Sequence, residues 1–131
     1  MVLDTSAVLA ILFGEPEATQ LLRAISNADE TVIGAATFVE ASAVMRARKG
    51  PGGEVALDAL LERLDARVLG FTVEAARLAR LGYSRFGKGV GEPGVLNFGD
   101  CLTYGTAMAL RQPLLFKGED FAATDVEVAE Y

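Results

Sequence analysis

The chain has 131 residues, of which 18 are acidic, 12 are basic and none is histidine, so its net charge at pH 7 is −6. The absence of histidine excludes Ser-His-Asp and Cys-His catalysis, as well as zinc sites built on histidine. Any enzymatic chemistry is therefore expected to use carboxylates and a hard cation such as Mg²⁺ or Mn²⁺.

The length and composition fit one globular domain with a sizeable core, and we expect a single domain over residues 1–131. No apolar stretch approaches the roughly 20 residues that are needed to span a bilayer. The single cysteine, Cys101, excludes an internal disulfide and fits a reducing compartment. We therefore expect a cytoplasmic protein without a membrane partner.

The N-terminal part of the chain predicts two strands and two helices. A buried strand is predicted over residues 1–4 and a helix over 5–13, which Gly14 ends. Residues 16–27 are predicted to form an amphipathic helix because apolar residues recur at i, i+3, i+4 and i+7. A second strand is predicted over 31–35.

The middle of the chain predicts two helices, a strand and a further helix. The first helix covers 37–49 and ends at a Gly-Pro pair, and the next covers 54–65 after a glycine-rich break. Residues 66–71 are predicted to form the third strand. A helix capped by threonine then covers 72–85.

The C-terminal part begins with a predicted loop over 86–99, whose glycines and proline indicate mobility. A helix over 100–111, a fourth strand over 113–118 and a short edge strand over 126–130 follow. Strands thus alternate with helices throughout, which predicts an α/β domain with a parallel sheet. In such sheets, sites form beyond the carboxyl ends of the strands.

Acidic residues stand at these positions, although each also has a structural explanation. Asp4 follows the first strand and is suited to cap the next helix. Thr37 and Glu40 have the spacing of a capping box. Asp100 begins a helix, where the helix dipole favours a carboxylate.

The stretch after the fourth strand carries further acids, Glu119, Asp120 and Asp125, each of which alone resembles an ordinary surface acid. Four distant segments therefore bring carboxylates toward one edge, where they repel one another and raise one another's pKa. A divalent cation would offset this cost. We hypothesise that one or two Mg²⁺ ions bind here, contact a phosphodiester and activate a water nucleophile.

Four stretches of the chain support this hypothesis by their order and spacing: VLDTSAVLAIL at the start, TFVEAS at 37–42, FGDCLTYGTA at 98–107 and LLFKGEDFAATDV at 114–126. Together they resemble the motifs of PIN-domain ribonucleases, and most closely those of VapC toxins from type II toxin–antitoxin pairs. The resemblance implies a three-layer α/β/α fold with a central parallel sheet, and RNA cleavage that depends on Mg²⁺ or Mn²⁺.

The resemblance also implies roles for individual residues. It places metal ligation at Asp4 and Asp100 and adds Glu40 to the catalytic set, as a ligand or to orient water. Ser6 and Thr103 match positions that often support the metal shell.

The family often has an aspartate after strand four. Here Glu119 and Asp120 occupy the two acidic places, and which of the two, or Asp125, serves is left open. The resemblance further implies a homodimer and a VapB-like antitoxin whose tail covers the acidic site.

Other interpretations remain open at this point. A non-catalytic module could use an acidic groove to hold a basic peptide, and a metal phosphatase could act on small esters. GYSRFGKG at 82–89 matches part of a phosphate-binding loop, but it follows a helix rather than a strand. Its neighbourhood instead offers Arg80, Arg85 and Lys88, which either contact RNA phosphates or form a solvated face.

Overall fold

The computed structural model describes residues 1–131 and contains four strands, six helices and one short 3-10 turn. The strands are β1 (Val2–Leu3), β2 (Val32–Gly34), β3 (Arg67–Leu69) and β4 (Leu114–Leu115). The helices are α1 (Thr5–Leu12), α2 (Ala18–Ser26), α3 (Ala35–Lys49), α4 (Pro51–Arg63), α5 (Val73–Phe86) and α6 (Phe98–Leu110). The 3-10 turn covers Phe121–Ala123. None of these helices has the length and apolar content needed to cross a bilayer.

The four strands form one parallel sheet in the order β3-β2-β1-β4. In the central strand β1, Leu3 is level with Ile33 of β2 and with Leu115 of β4. Because all strands point the same way, the chain leaves each of them at one common edge. The predicted parallel α/β sheet is confirmed.

Helices cover both faces of the sheet, which explains why the strands are apolar on both sides. Successive residues of a strand point to opposite faces. Leu3 therefore joins a core with α1, α2 and α4, whereas Val2 joins a second core with α6. The result is the three-layer α/β/α fold that the resemblance implied.

Helices α5 and α6 pack against each other at unusually short range because of two glycines. A Cβ on Gly82 would lie 2.5 Å from the ring of Tyr104, and a Cβ on Gly105 would lie 2.3 Å from the carbonyl oxygen of Ala75. Only glycine permits this approach. This close contact, the α5–α6 seam, fixes α5 against the middle of α6.

Three local predictions are wrong. Helix α3 begins at Ala35 with the extended Gly34 as its N-cap, so Thr37 lies inside the helix and forms no capping box with Glu40. The expected glycine-rich break before the next helix does not occur, because α4 begins at Pro51 and proline suits a first helical turn. The edge strand expected over 126–130 is reduced to a single bridge with β4.

Thr37 instead connects two helices. Its Oγ1 lies 2.8 Å from Oγ1 of Thr103 on α6, and either hydroxyl can be the donor. Both side chains are buried, with 2% and 0% exposure. The pair therefore joins α3 to α6 inside the protein.

Replacing one member of this pair by valine should cost about 1–3 kcal/mol of unfolding free energy, because the remaining buried hydroxyl loses its partner. The double variant Thr37→Val with Thr103→Val should lose less than the sum of the two single changes. Denaturant unfolding of the four proteins measures this coupling. Additive losses would show that the hydroxyl pair does not stabilise the α3–α6 contact.

Candidate functional site

Asp4 lies directly after β1 and is 4% exposed. Its backbone N–H donates to the carbonyl oxygen of Leu115 in β4, at 2.9 Å. Its Oδ2 caps α1 by accepting from the backbone N–H of Ser6 at 2.9 Å and from the Ser6 hydroxyl at 2.6 Å. No protein group donates to its Oδ1, so the capping role leaves one oxygen of this carboxylate free for a ligand.

Ser6 connects the ends of two strands. Its hydroxyl donates to Asp4 and accepts from the backbone N–H of Lys117, which follows β4, at 2.9 Å. The side chain of Lys117 points elsewhere and pairs with Glu15 and Glu17. Ser6 thus orients the Asp4 carboxylate without bringing a positive charge to it.

Glu40 reaches from α3 to the starts of two other helices. Its Oε2 accepts from Oγ1 of Thr5 at 2.5 Å. Its Oε1 lies so close to Gly99 that a Cβ on that residue would come within 2.3 Å. Sequence reasoning missed Thr5 and Gly99, because neither spacing nor residue type reveals a contact across three helices.

Asp100 lies in the first turn of α6, which begins at Phe98 rather than at residue 100. Asn97 caps the helix: its Oδ1 accepts from the Asp100 N–H, while Asp100 Oδ2 accepts from the Asn97 N–H, both at 2.8 Å. This is a capping box, and the Asn-x-x-Asp spacing in the sequence is the signal that would have revealed it. The box fixes one oxygen of Asp100 and leaves the other free.

Burial raises the pKa of Asp100 to about 6, although the hydrogen bond from the Asn97 backbone acts in the opposite direction. The negative charges of Asp4, Asp120 and Glu40 raise this pKa further. These three acids therefore lie close enough to Asp100 for their charges to raise its pKa. Of the acids that the sequence assigned to one edge of the sheet, Asp4, Glu40 and Asp120 influence Asp100, whereas Glu119 and Asp125 do not contribute.

Glu119 and Asp120, two of the three candidates for the fourth acidic position, differ in their relation to this cluster. Both Glu119 and Asp120 are exposed after β4. The charge of Asp120 contributes to the raised pKa of Asp100, whereas that of Glu119 is not among the contributions. Glu119 also makes no side-chain hydrogen bond or ion pair.

The carboxylate of Asp125, the third candidate, contacts residues outside the acidic cluster. Its Oδ1 accepts from the hydroxyl of Tyr104 at 2.7 Å, and its Oδ2 pairs with Arg85 at 2.5 Å. Although burial of Asp125 acts in the opposite direction, these two donors lower its pKa. These contacts join the C-terminal segment to α5 and α6. They also leave the guanidinium of Arg85 paired with Asp125.

Thr103, which the resemblance assigned to support of the metal shell, lies one helical turn after Asp100 on α6. It is fully buried and bonded to Thr37. Because Thr37 and Thr103 belong to the helices that carry Glu40 and Asp100, their hydrogen bond helps to fix those two helices relative to each other.

The donors at this edge suit a hard divalent cation. Carboxylate oxygens are preferred ligands of Mg²⁺ and Mn²⁺, and both Asp4 and Asp100 have an oxygen without a protein donor. No three acidic or cysteine side chains converge closely enough to bind one ion together. Mg²⁺ commonly takes one or two carboxylates and keeps several waters, so two aspartates are sufficient.

The raised pKa of Asp100 predicts that Asp100→Asn stabilises the metal-free protein at neutral pH. The folded chain binds this proton more tightly than the unfolded chain, so wild-type stability falls as pH rises from about 4 to about 6. The advantage of the variant should be absent below pH 4 and complete above pH 6. The expected gain in the free energy of unfolding is about 1–2 kcal/mol. It is smaller than the pKa change alone would give, because solvent screens the partly exposed Asp100.

Denaturant unfolding in EDTA at a series of pH values measures this difference. Asp58→Asn on the exposed surface of α4 is the matched control and should show no comparable gain. Equal stability of wild type and Asp100→Asn above pH 6 would contradict the prediction.

Residues 1–127 match the profile of the family described as PIN domain. Ribonuclease VapC28 from Mycobacterium tuberculosis is 44% identical over 129 residues, which covers 98% of this chain and 97% of that protein. Ribonuclease VapC from Mycolicibacterium smegmatis is 42% identical over 126 residues, covering 96% of this chain and 97% of the relative.

Solved structures share the same fold. The Mycobacterium tuberculosis toxin VapC20, described as cleaving the sarcin–ricin loop, matches with a TM-score of 0.77 at 16% identity, covering 99% of this chain and 98% of that one. A toxin–antitoxin complex from Klebsiella pneumoniae matches with a TM-score of 0.72 at 21% identity, covering 99% and 97%. With the family profile and the sequence relatives, it follows that the chain belongs to the PIN-domain family and, within it, to the VapC ribonucleases.

Proposed function

We propose that this chain is the toxin of a VapBC-type pair, an endoribonuclease that hydrolyses RNA phosphodiester bonds with the help of Mg²⁺ or Mn²⁺. The observation that carries the proposal is the meeting of carboxylate charges at Asp100, beside the carboxyl edge of the sheet. Asp4, Glu40, Asp100 and Asp120 form no ion pair with any basic side chain of the chain. Such a cluster repels an RNA backbone unless cations neutralise it.

In the proposed mechanism, Asp4 and Asp100 would hold the metal, since each carboxylate has an oxygen without a protein donor. The bound ion supplies charge neutralisation of the phosphodiester and activation of water. Glu40 lies at the same edge, fixed by Thr5, and orients the attacking water. Ser6 holds the Asp4 carboxylate in one orientation.

We assign the fourth acidic position to Asp120 rather than Glu119. The influence of its charge on Asp100 supports this choice, because both acids are exposed and exposure does not distinguish them. Glu119, the other acid proposed for this position, lacks the corresponding electrostatic effect.

We further propose that a VapB-like antitoxin inhibits the chain. The Klebsiella pneumoniae structure is a toxin–antitoxin complex, and that of VapBC2 from Rickettsia felis holds such a pair on a promoter DNA fragment. An acidic site in a chain of net charge −6 favours a basic inhibitory segment. The resemblance to VapC toxins supports a homodimer with one PIN domain over residues 1–131.

Replacing Asp4 by asparagine tests the catalytic assignment with little risk to the fold. Asparagine caps helices about as well as aspartate, so α1 should keep its N-terminus. Cleavage of bacterial total RNA in Mg²⁺ or Mn²⁺ should fall at least about 100-fold, because the metal loses a charged ligand. EDTA should abolish cleavage by the wild type.

Thermal unfolding verifies that Asp4→Asn remains folded, and Asp58→Asn serves as a surface control that should cleave normally. Equal metal-dependent cleavage by Asp4→Asn and wild type would refute the assignment. Absence of cleavage in every protein, with weaker binding of a basic peptide by Asp4→Asn, would favour the acidic binding module.

Gly99→Ala tests whether the position of Glu40 matters, without removing its charge. The new Cβ would displace the Glu40 carboxylate, which is the mobile end of a side chain. Alanine also favours a helix over glycine by up to about 1 kcal/mol, which offsets part of the cost. We therefore expect roughly unchanged stability but at least about tenfold slower cleavage.

Gly52→Ala is the matched control, since this helical glycine in α4 has nothing within 4 Å of an added Cβ. Its cleavage rate should equal that of the wild type. Full activity in a folded Gly99→Ala protein would show that the observed placement of Glu40 is not required.

A further inference from the structure

Lys117 stands next to the acidic cluster that consists of Asp4, Glu40, Asp100 and Asp120. It follows β4 at the carboxyl edge of the sheet, and no other basic residue stands within three positions of any of these four acids. An ammonium group beside several carboxylates would ordinarily pair with one of them. Lys117 pairs with none of the four and forms its ion pairs with other residues.

Two consecutive hydrogen bonds connect the backbone of Lys117 to the Asp4 carboxylate. The Lys117 N–H donates to the Ser6 hydroxyl at 2.9 Å, and that hydroxyl donates to Oδ2 of Asp4 at 2.6 Å. The ammonium group stands at the end of a flexible four-carbon stem. This stem is long enough to bring the ammonium to Asp4 without a change in the backbone.

Glu15 and Glu17 hold the ammonium in a different position. Nζ of Lys117 donates to Oε2 of Glu15 and lies 3.2 Å from Oε2 of Glu17. These three side chains are 33–35% exposed, whereas every side chain in the other ion pairs of the protein is at least 41% exposed. Water therefore screens the pairing of Lys117 less than it screens the other ion pairs.

The turn after α1 places both of these carboxylates. Gly14 has a φ of 63°, which favours glycine, and the Glu15 N–H donates back to the carbonyl oxygen of Ala10 at 2.9 Å. Oε2 of Glu17 is shielded from solvent and accepts no well-aligned hydrogen bond. Lys117 is the only ion-pair partner of that oxygen, so the position of its ammonium is fixed from both sides.

We propose that Glu15 and Glu17 are positioning residues that hold the Lys117 ammonium away from the acidic cluster and so keep Asp4 available to a divalent cation. The inference rests on the proposed metal-dependent function. The ammonium and the cation have charges of the same sign, and both would bind the Asp4 oxygen that has no protein donor. Because two carboxylates surround one ammonium, this group of three side chains, the lysine clamp, remains negative and does not repel an approaching cation.

Mn²⁺ binding tests the lysine clamp separately from RNA cleavage. Free Mn²⁺ is measured by electron paramagnetic resonance during titration of the wild type and of the double variant Glu15→Gln with Glu17→Gln. The released ammonium should weaken Mn²⁺ binding at least about fivefold, since residues that support metal ligands commonly contribute tenfold or more to affinity. Asp58→Asn with Glu62→Gln is the matched control, because it removes two negative charges from the exposed surface of α4, and its affinity should stay within roughly twofold of the wild type.

Lys117→Gln separates the effect of a released ammonium from that of lost negative charge. In this background, the two glutamate substitutions should change Mn²⁺ affinity by less than about twofold, because no ammonium is present to compete. The comparison uses only the binding that Asp4→Asn removes. Thermal unfolding in EDTA verifies the fold of each protein. The single variants Glu15→Gln and Glu17→Gln should show intermediate losses, and they take the place of the double variant if it unfolds.

Cross-linking in EDTA gives a second measurement, in which no metal takes part. A carbodiimide joins a lysine to a carboxylate that it contacts, and the chain has only three lysines. In the wild type, Lys117 should be joined to Glu15 or Glu17. In the double variant, mass spectrometry of the peptides should show Lys117 joined to Asp4 or Asp120.

Equal Mn²⁺ affinity in the wild type and the double variant would overturn the inference. So would equal losses of affinity with and without Lys117, or a double variant in which Lys117 forms no cross-link to Asp4 or Asp120. If the wild type binds Mn²⁺ through Asp4 but cleaves no RNA, the nuclease proposal fails, while a weaker affinity of the double variant still supports the lysine clamp. If the wild type has no Mn²⁺ binding that depends on Asp4, the metal site of the proposed function is refuted, whereas cross-links that move to Asp4 in the double variant still support the clamp on Lys117.

Discussion

Mutual repulsion among carboxylates is the constraint on which the functional edge of this protein depends. Asp4, Glu40, Asp100 and Asp120 come from four separate segments, and their charges combine with burial to raise the pKa of Asp100 to about 6. An unsupported cluster of this kind would spread apart. The protein holds it with contacts that bring no positive side chain: backbone donors, hydroxyls and the close packing of helix starts.

The proposed mechanism combines helix capping and metal binding in the same side chains. Asp4 and Asp100 each use one oxygen to satisfy a backbone donor at the start of a helix. The positive ends of the dipoles of α1 and α6 favour the ionised carboxylates there, by typically 0.3–1 kcal/mol. The attraction between each helix N-terminus and its carboxylate therefore offsets part of the repulsion among the acids. Asp4 can thus cap α1 with one oxygen and still offer the other to a ligand.

Sequence patterns were sufficient for features that depend on neighbouring residues. Short apolar runs followed by helical periodicity predicted the parallel sheet. Because Asp4 directly follows the first run, its place at the end of β1 could also be predicted. Patterns failed where distant contacts decide. The spacing of Thr37 and Glu40 indicated a cap, but the two side chains instead contact Thr103 and Thr5. Likewise, no local signal reveals that Gly99 must be small because Glu40 lies against it.

The close seam between α5 and α6 has a consequence for how such a protein can diverge. Gly82 and Gly105 let α5 pack closely against α6 on its inner face, so the outward residues of α5 contribute little to that contact. Arg77 and Arg80 can therefore be exchanged at small cost in stability, while the acids stay in place on other segments. The outward face of α5 can thus change in sequence while the segments that carry the acids keep their positions.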